Sequence, residues 1–402
     1  MFNHFNFDTP IERRGTDCAK WDMFEADVLP MWVADMDFAS PEAIVKAIQT
    51  RAAHGVFGYS SEPERLKAVL VERMARLYNW QISPEDIVFI PGVVAALNVA
   101  VRAYGQTGDN VLMQTPVYPP FLMIPPDHGQ IANTVDLVPV RSDSQLRYEI
   151  DFNAFENAIN ERTRVFALCS PHNPIGRVWT RDELTRMADI CLKHDVIMVS
   201  DEIHCDLLMG EAQHIPLASL SPEIAARTLT LMAPSKTFNI PGLGCSFAII
   251  QNPDLRAQFN KARGLMVPHV NIMGFAAALA AYEEGDAWLK SLLPYLTANR
   301  DYVSDYVAEF LPGMAVTSPE GTYLSWLDCR TLPESTELVF GGWIEPFFLK
   351  NARVALNAGG VFGTAGVGFA RLNFGCPRPM LTEALERMRV AVQSVGAVSS
   401  ER

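Results

Sequence analysis

The chain has 402 residues, 49% of them hydrophobic, and a net charge of −13. That length exceeds what one hydrophobic core usually supports, so two domains are expected, and the apolar share argues against extensive disorder. So acidic a protein lacks the basic surface that releases counterions on nucleic acid or anionic lipid, which opposes general binding to either.

The first ten residues, Met1 to Pro10, lack the basic-then-apolar layout of a signal peptide. The most apolar stretch, Ile272 to Tyr282, is too short to span a bilayer, so a cytoplasmic location is expected. The seven cysteines are scattered and include no C-x-x-C pair, which argues against a disulfide framework and a zinc ribbon. H-E-x-x-H, the P-loop pattern and a strand-linked G-x-G-x-x-G are absent, so no metal is expected and any cofactor must be sought elsewhere.

Along the chain, Pro41 after Ser40 reads as a first-turn proline, and Ser61 with Glu64 as a capping box. Pro91-Gly92-Val93-Val94 opens a helical stretch whose free amides and dipole suit an anion. Apolar runs bounded by turn residues predict strands at Val111 to Met113, Val165 to Leu168, Val196 to Val199, Leu229 to Met232 and Phe247 to Ile250. Thr180 with Glu183 forms a second capping box, ahead of a helix ending near Lys193 and His194. Asn271 to Phe310 reads as helical with a break at Pro294. From Gly313 strands and helices mix, and Met380 to Val395 is a closing amphipathic helix with Leu381, Leu385, Met388 and Val392 on one face. The alternation of helix and strand predicts an α/β protein with a mainly parallel sheet covered on both faces. Residues 46–285 are expected to form the large domain, and 286–402 a small domain joined by the N-terminal segment 1–45.

Three predicted strand ends carry chemistry, and strand ends are where open α/β sheets bind ligands. Asn173 lies in Ser170-Pro171-His172-Asn173-Pro174, Asp201-Glu202 follows the Val196 to Val199 run, and Ser235-Lys236 follows the Leu229 to Met232 run. Each alone has an ordinary reading as a turn, a helix cap or a surface charge. Together, N-P, then D-E, then S-K resembles the fold-type I pyridoxal 5'-phosphate enzymes.

That resemblance implies an aspartate-aminotransferase-like α/β fold: a large domain with a mostly parallel seven-stranded sheet between helices, plus a smaller α+β domain. It implies pyridoxal phosphate as cofactor, Lys236 as the lysine that binds it covalently, and Asp201 opposite the ring nitrogen. Asn173 would donate to the phenolic oxygen. Val93 and Val94, through backbone amides, and Ser235, through its hydroxyl, would hold the phosphate. Tyr118 resembles the aromatic residue stacked on the cofactor. Tyr59, in Phe57-Gly58-Tyr59-Ser60, resembles the tyrosine lent to the neighbouring subunit, which implies a homodimer. Arg371 resembles the small-domain arginine that grips the substrate α-carboxylate through a bidentate fork. Related enzymes often carry a cation eight residues after the lysine; position 244 here is Gly.

Two departures bear on the reaction. Trp32-Val33-Ala34-Asp35-Met36-Asp37-Phe38 resembles the signature of the MalY/PatB group of cystathionine β-lyase-like C–S lyases, which also places Ala34 at the substrate. His204, in Asp201-Glu202-Ile203-His204, stands where transaminases commonly carry a tyrosine, and D-E-I-H is typical of the same group. The resemblance covers nearly the whole chain, from about Arg14 to the C-terminal helix. It implies β-elimination from a sulfur-bearing L-amino acid such as cystathionine, giving a thiol, pyruvate and ammonia. An aminotransferase is the alternative, because it would use every cofactor residue equally well.

Overall fold

The structure is a computed structural model that describes residues 5–333 and 338–400. Seven of its strands form one sheet, in the order Ile87–Ile90, Ser246–Ile249, Thr228–Met232, Ile197–Asp201, Thr163–Cys169, Asn110–Thr115 and Ile131–Asp136. All neighbouring pairs are parallel except those made by Ser246–Ile249, which is antiparallel to both its partners. The central strands are buried on both faces, which is why they read as continuous apolar runs rather than alternating ones. All five predicted strands are present. Ile87–Ile90 and Ile131–Asp136 were not predicted: the first is only four residues long, and the second is a mostly exposed edge of the sheet.

Helices cover both faces. Val93–Tyr104 packs with Pro253–Arg263 on one side, where Leu97, Ala100 and Phe259 meet the sheet residues Val111, Val199 and Leu231. Arg181–Lys193 lies on the other, with Leu184, Met187 and Cys191 against Phe166, Leu168 and Met198. The Thr180 capping box is formed as expected: Glu183 N donates to Thr180 Oγ1 at 3.2 Å and Thr180 N to Glu183 Oε2 at 2.8 Å.

Three local expectations are corrected. The helix after Ser61 starts at Glu64 with Pro63 as its N-cap and no side-chain cap bond, so Ser61 and Glu64 form no capping box. Pro41 is itself the N-cap of Glu42–Ala53, one position before the first turn. Pro294 does not break its helix, and Asp286–Phe310 runs through it. Pro294 and Lys290 are exposed there, so the carbonyl left without its helical donor can turn to water. The division falls instead at Gly285, between Ile272–Glu284 and Asp286–Phe310. A Cβ at Gly285 would stand 2.4 Å from both the Ala281 carbonyl and the Phe238 ring.

A second, six-stranded sheet has the order Asn357–Ala358, Phe369–Asn373, Leu324–Asp328, Ala315–Thr317, Gln145–Glu149 and Val138–Ser142. Its last two strands are a hairpin from within residues 46–285 that pairs with the C-terminal part of the chain. Trp326 and Phe369 stack in its core, with ring centroids 5.5 Å apart and planes nearly parallel. The N-terminal segment joins this half: Leu29–Pro30 pairs with Val354–Ala355, and Asn373 N donates to the Met31 carbonyl at 2.9 Å. Arg378–Ser400 closes the chain, with Leu381, Leu385 and Met388 fully buried.

Candidate active site

The parallel strands Asn110–Thr115, Thr163–Cys169, Ile197–Asp201 and Thr228–Met232 end on the same edge of the first sheet, and one cleft opens there. Ala34, Val93, Val94, Tyr118, Asn173, Asp201, His204, Ser235, Lys236 and Arg371 all line it. Tyr59 does not: its side chain is fully exposed, at 107% of the reference area.

Each residue is positioned by the backbone around it. Lys236 sits in a one-turn helix, Pro234–Thr237, directly beyond the strand ending at Met232; Pro234 at the first position suits the turn because the missing N–H has no helical partner there. Asp201 ends its strand and takes the Ile203 amide on Oδ1 at 3.1 Å. Val93 begins a 12-residue helix whose first backbone bond is Ala96 N to Gly92 O, so the amides of Val93 and Val94 precede the first helical donor. Tyr118 is the N-cap of Pro119–Asp127.

Arg371 is the meeting point of both halves. Its guanidinium donates to Asn173 Oδ1 at 3.0 Å, to Asn357 Oδ1 at 2.6 Å and to the Trp32 carbonyl at 2.9 Å, while Nε is buried without a partner. With its oxygen occupied, the Asn173 amide group turns its N–H donors elsewhere. Gly359 and Gly366 set up the approach to Arg371: each would place a Cβ 2.0 to 2.1 Å from the other's carbonyl oxygen, so only glycines let the two turns before that strand pack.

Trp32, Val33 and Ala34 line the cleft beside Arg371, and the carbonyls of the Trp32–Phe38 segment are taken one after another. Val33 O and Asp35 O receive Asn373 Nδ2 at 2.6 and 2.7 Å, Ala34 O receives Lys236 Nζ at 2.6 Å and Tyr323 Oη at 2.8 Å, and Met36 O receives Asn239 Nδ2 at 2.7 Å. Behind it lies a buried ionic cluster. Lys20 and Asp37 are 2.6 Å apart and almost fully buried, and Arg13 pairs with Asp35 at 2.7 Å and Asp37 at 2.6 Å.

Electrostatically the cleft is tense. Burial pushes the Asp201 carboxyl up to about 7, against the Ile203 amide and the Lys236 charge, which favour the anion. Burial, helped by the Arg371 charge, pushes the Lys236 amine down to about 8, opposed by Asp35 and Asp201. Burial and the same two cations hold His204 well below the usual imidazole range, so it is neutral; its Nδ1 has no partner. Burial lowers Arg371 to about 10, which leaves it charged at neutral pH.

Sequence reasoning passed over Asn357, Tyr323 and Trp343, of which Asn357 and Trp343 line the cleft. Asn357 lies in a two-residue strand, and Tyr323 reads as one more apolar residue before Leu324–Asp328. The sequence names Glu202 only as the neighbour of Asp201; in the fold it is fully buried, accepts from Ser200 Oγ at 2.8 Å, pairs with His214 at 2.7 Å and accepts the Leu217 amide at 3.0 Å. Cys169 lines the cleft, but burial raises its thiol, consistent with no catalytic role. Gly244 has φ +55 with the Pro91 carbonyl 3.3 Å from where a Cβ would be, so glycine there is set by the backbone. Among the described residues no cluster of three or more His, Cys, Asp or Glu could hold a metal ion.

The donor set fits pyridoxal phosphate: free amides at a helix start for a phosphate, a buried carboxylate for a ring N–H, an amide donor for a phenolate, and a desolvated lysine between them. Two sheets meeting at such a cleft define the class of protein: an enzyme scaffold of the aspartate-aminotransferase type, fold type I. The chain belongs to the aminotransferase class I and II family, whose profile matches residues 26–388. It is 39% identical to cystathionine beta-lyase PatB of Bacillus subtilis, over 96% of this chain and 100% of that protein. It is 33% identical to protein MalY of Escherichia coli, over 97% of this chain and 100% of that one. Among solved structures it resembles cystalysin from Treponema denticola, which contains pyridoxal 5'-phosphate, with a TM-score of 0.91 and 33% identity over 98% of this chain and 100% of that one.

Proposed function

We propose that this protein is a pyridoxal phosphate-dependent C–S β-lyase acting on a sulfur-containing L-amino acid, cystathionine or a related cysteine S-conjugate. The observation that carries the reading is the place of the Trp32–Phe38 segment. The start of the stretch that sets the lyase-like group apart from many transaminases, Trp32 to Ala34, lines the cleft, giving its Ala34 carbonyl to Lys236 and its Trp32 carbonyl to Arg371. Full-length similarity to proteins named for this activity supports it.

The cofactor, once bound, supplies an electron sink for charge released at the substrate Cα. The amides of Val93 and Val94 and the Ser235 hydroxyl would bind its phosphate, and Tyr118, which lines the same cleft, would pack on its ring. Asp201 would hold a proton on the ring nitrogen and Asn173 would donate to the phenolic oxygen, with the neutral His204 lining the same cleft. Arg371 takes the substrate α-carboxylate, so that the Cα–H faces Lys236. The Lys236 amine, whose basicity burial lowers, removes that proton. The thiolate then leaves Cβ, and hydrolysis of the remaining fragment gives pyruvate and ammonia. The exposed Tyr59 completes the phosphate site of a neighbouring subunit in a homodimer. Residues 46–285 make the large domain, and 1–45 with 286–402 the small one. Among the described residues no helix is long and apolar enough to cross a membrane, and we place the enzyme in the cytoplasm.

The test is to incubate the cofactor-loaded protein with L-cystathionine and no keto acid, measuring pyruvate and free thiol together. Equal amounts of both support β-elimination. Neither product, with pyridoxamine phosphate appearing when amino acids are screened, would make it an aminotransferase.

A further inference from the structure

One oxygen in the cleft wall has two donors. The Ala34 carbonyl receives the Lys236 amine at 2.6 Å and the Tyr323 hydroxyl at 2.8 Å. Tyr323 is 1% exposed, lies edge-on to the His204 ring at 6.1 Å, and comes from the turn that enters the Leu324–Asp328 strand. Thr322 just before it has φ +72, a conformation rare for a β-branched residue. Three bonds hold the turn there: Thr322 N to the Leu207 carbonyl at 2.9 Å, Leu324 N to Thr322 Oγ1 at 3.2 Å, and Phe374 N to the Tyr323 carbonyl at 3.0 Å. Backbone strain of this kind persists where the surroundings over-determine it, and here it aims a phenol at the carbonyl that Lys236 uses.

We propose that Tyr323 is a positioning residue for Lys236, acting through the Ala34 carbonyl to set the orientation and basicity of the free amine. An amine whose N–H points at this carbonyl directs its lone pair away from it, into the cleft. A carbonyl also favours the ammonium form, and a second donor on the same oxygen weakens that pull while placing the positive end of an O–H dipole nearby. Tyr323 therefore favours the neutral amine. The other groups acting on Lys236 are Arg371 from the Phe369–Asn373 strand, which also lowers its basicity, Asp35 and Asp201, which raise it, and the neutral His204. The inference rests on the reading that the free Lys236 amine moves the Cα proton.

The test compares the full chain, freed of cofactor, as wild type and as Tyr323→Phe. The readout is the pH dependence of Lys236 acylation by acetic anhydride, located by peptide mass spectrometry. The expected result is a midpoint raised by about half a unit to one unit, the equivalent of one hydrogen bond. In the loaded enzyme the acid limb of kcat should move the same way with KM little changed. Placing 3,5-difluorotyrosine at 323, a stronger donor of the same shape, should move the midpoint down and guards against a folding defect in the phenylalanine variant. An unmoved midpoint in both proteins overturns the proposal, as does a uniform loss of kcat without a pH shift. A shifted midpoint in a protein that releases no thiol from cystathionine keeps the positioning role and overturns the substrate reading instead.

Discussion

The Arg371 guanidinium donates to Asn173 Oδ1 at 3.0 Å, tying the Phe369–Asn373 strand of the second sheet to the loop that leaves the Thr163–Cys169 strand of the first. A lysine at 371 would present a point charge and could not serve Asn173, Asn357, the Trp32 carbonyl and a substrate carboxylate at once. With a charge-assisted hydrogen bond worth about 1.5–3 kcal/mol, Arg371→Lys is expected to raise KM by roughly 10- to 100-fold while cofactor absorbance is kept. Steady-state kinetics on the thioether substrate checks this, and an unchanged KM would put the α-carboxylate elsewhere.

Lys236→Ala should abolish pyruvate release, because no other amine lines the cleft among the described residues. Asp201→Ala should still bind part of its cofactor after dialysis but lose on the order of 100-fold or more in kcat, the range in which positioned acid–base groups act. Normal turnover in either variant would sink the assignment of both roles.

In the cofactor-free protein Asp201 titrates at about 7, above its ordinary value of 3.8. Between those values the folded chain holds a proton that the unfolded chain has lost. Its contribution is therefore fully present at low pH and is lost as pH rises through about 7. The urea midpoint attributable to this group should fall from pH 4 to pH 7. Asp201→Asn should flatten that slope, and cofactor loading should also do so by giving the carboxylate a cationic partner. Parallel slopes in all three samples would count against the buried neutral acid.

Lys20 and Asp37 form an ion pair with 1% and 3% of their side chains exposed. Lys20→Met leaves Asp37 buried with a charge less well matched, so denaturation should show a loss of about 3–5 kcal/mol, the usual cost of removing one buried partner. Arg13 and the Trp21 indole still reach Asp37, at 2.6 and 2.8 Å. The double variant Lys20→Met with Asp37→Leu should therefore recover part of the loss.

If Tyr59 serves the neighbouring subunit, mixing Tyr59→Phe with Lys236→Ala chains should restore activity. Each hybrid dimer then owns one site with both an intact lysine and an intact tyrosine. Denaturing, mixing and refolding the two variants gives the measurement. Activity no higher than in the Tyr59→Phe protein alone would mean that the tyrosine acts within its own chain or not at all.

Much of this is legible in the sequence, and the physical reason is burial. Strands buried on both faces, such as Thr228–Met232, announce themselves as apolar runs, so the polar residues just beyond them, Asn173, Asp201 and Lys236, stand out. What stayed hidden depends on contacts between distant parts of the chain. Tyr323 and Ala34 meet across 289 residues, and Asn357 and Arg371 through a two-residue strand, so neither pair has a local signature. Pro294 does not end its helix because it lies on the exposed face, where the Lys290 carbonyl that loses its donor can turn to water. The Ser61 box failed because the side-chain pattern was right while Pro63 placed the helix start two residues later than a Ser61 cap requires.

If the Val93 and Val94 amides and the Ser235 hydroxyl hold a phosphate, Gly244 leaves that end of the cleft to backbone dipoles and a hydroxyl where related enzymes often carry a cation, and its left-handed backbone resists a simple repair by substitution. Dipoles attract an anion over a shorter range than a full charge does, and dissolved ions screen them less. Cofactor retention in this protein should therefore depend weakly on ionic strength. Purification in high salt is then compatible with a loaded enzyme, and competition from free phosphate, rather than from chloride, is what would strip it.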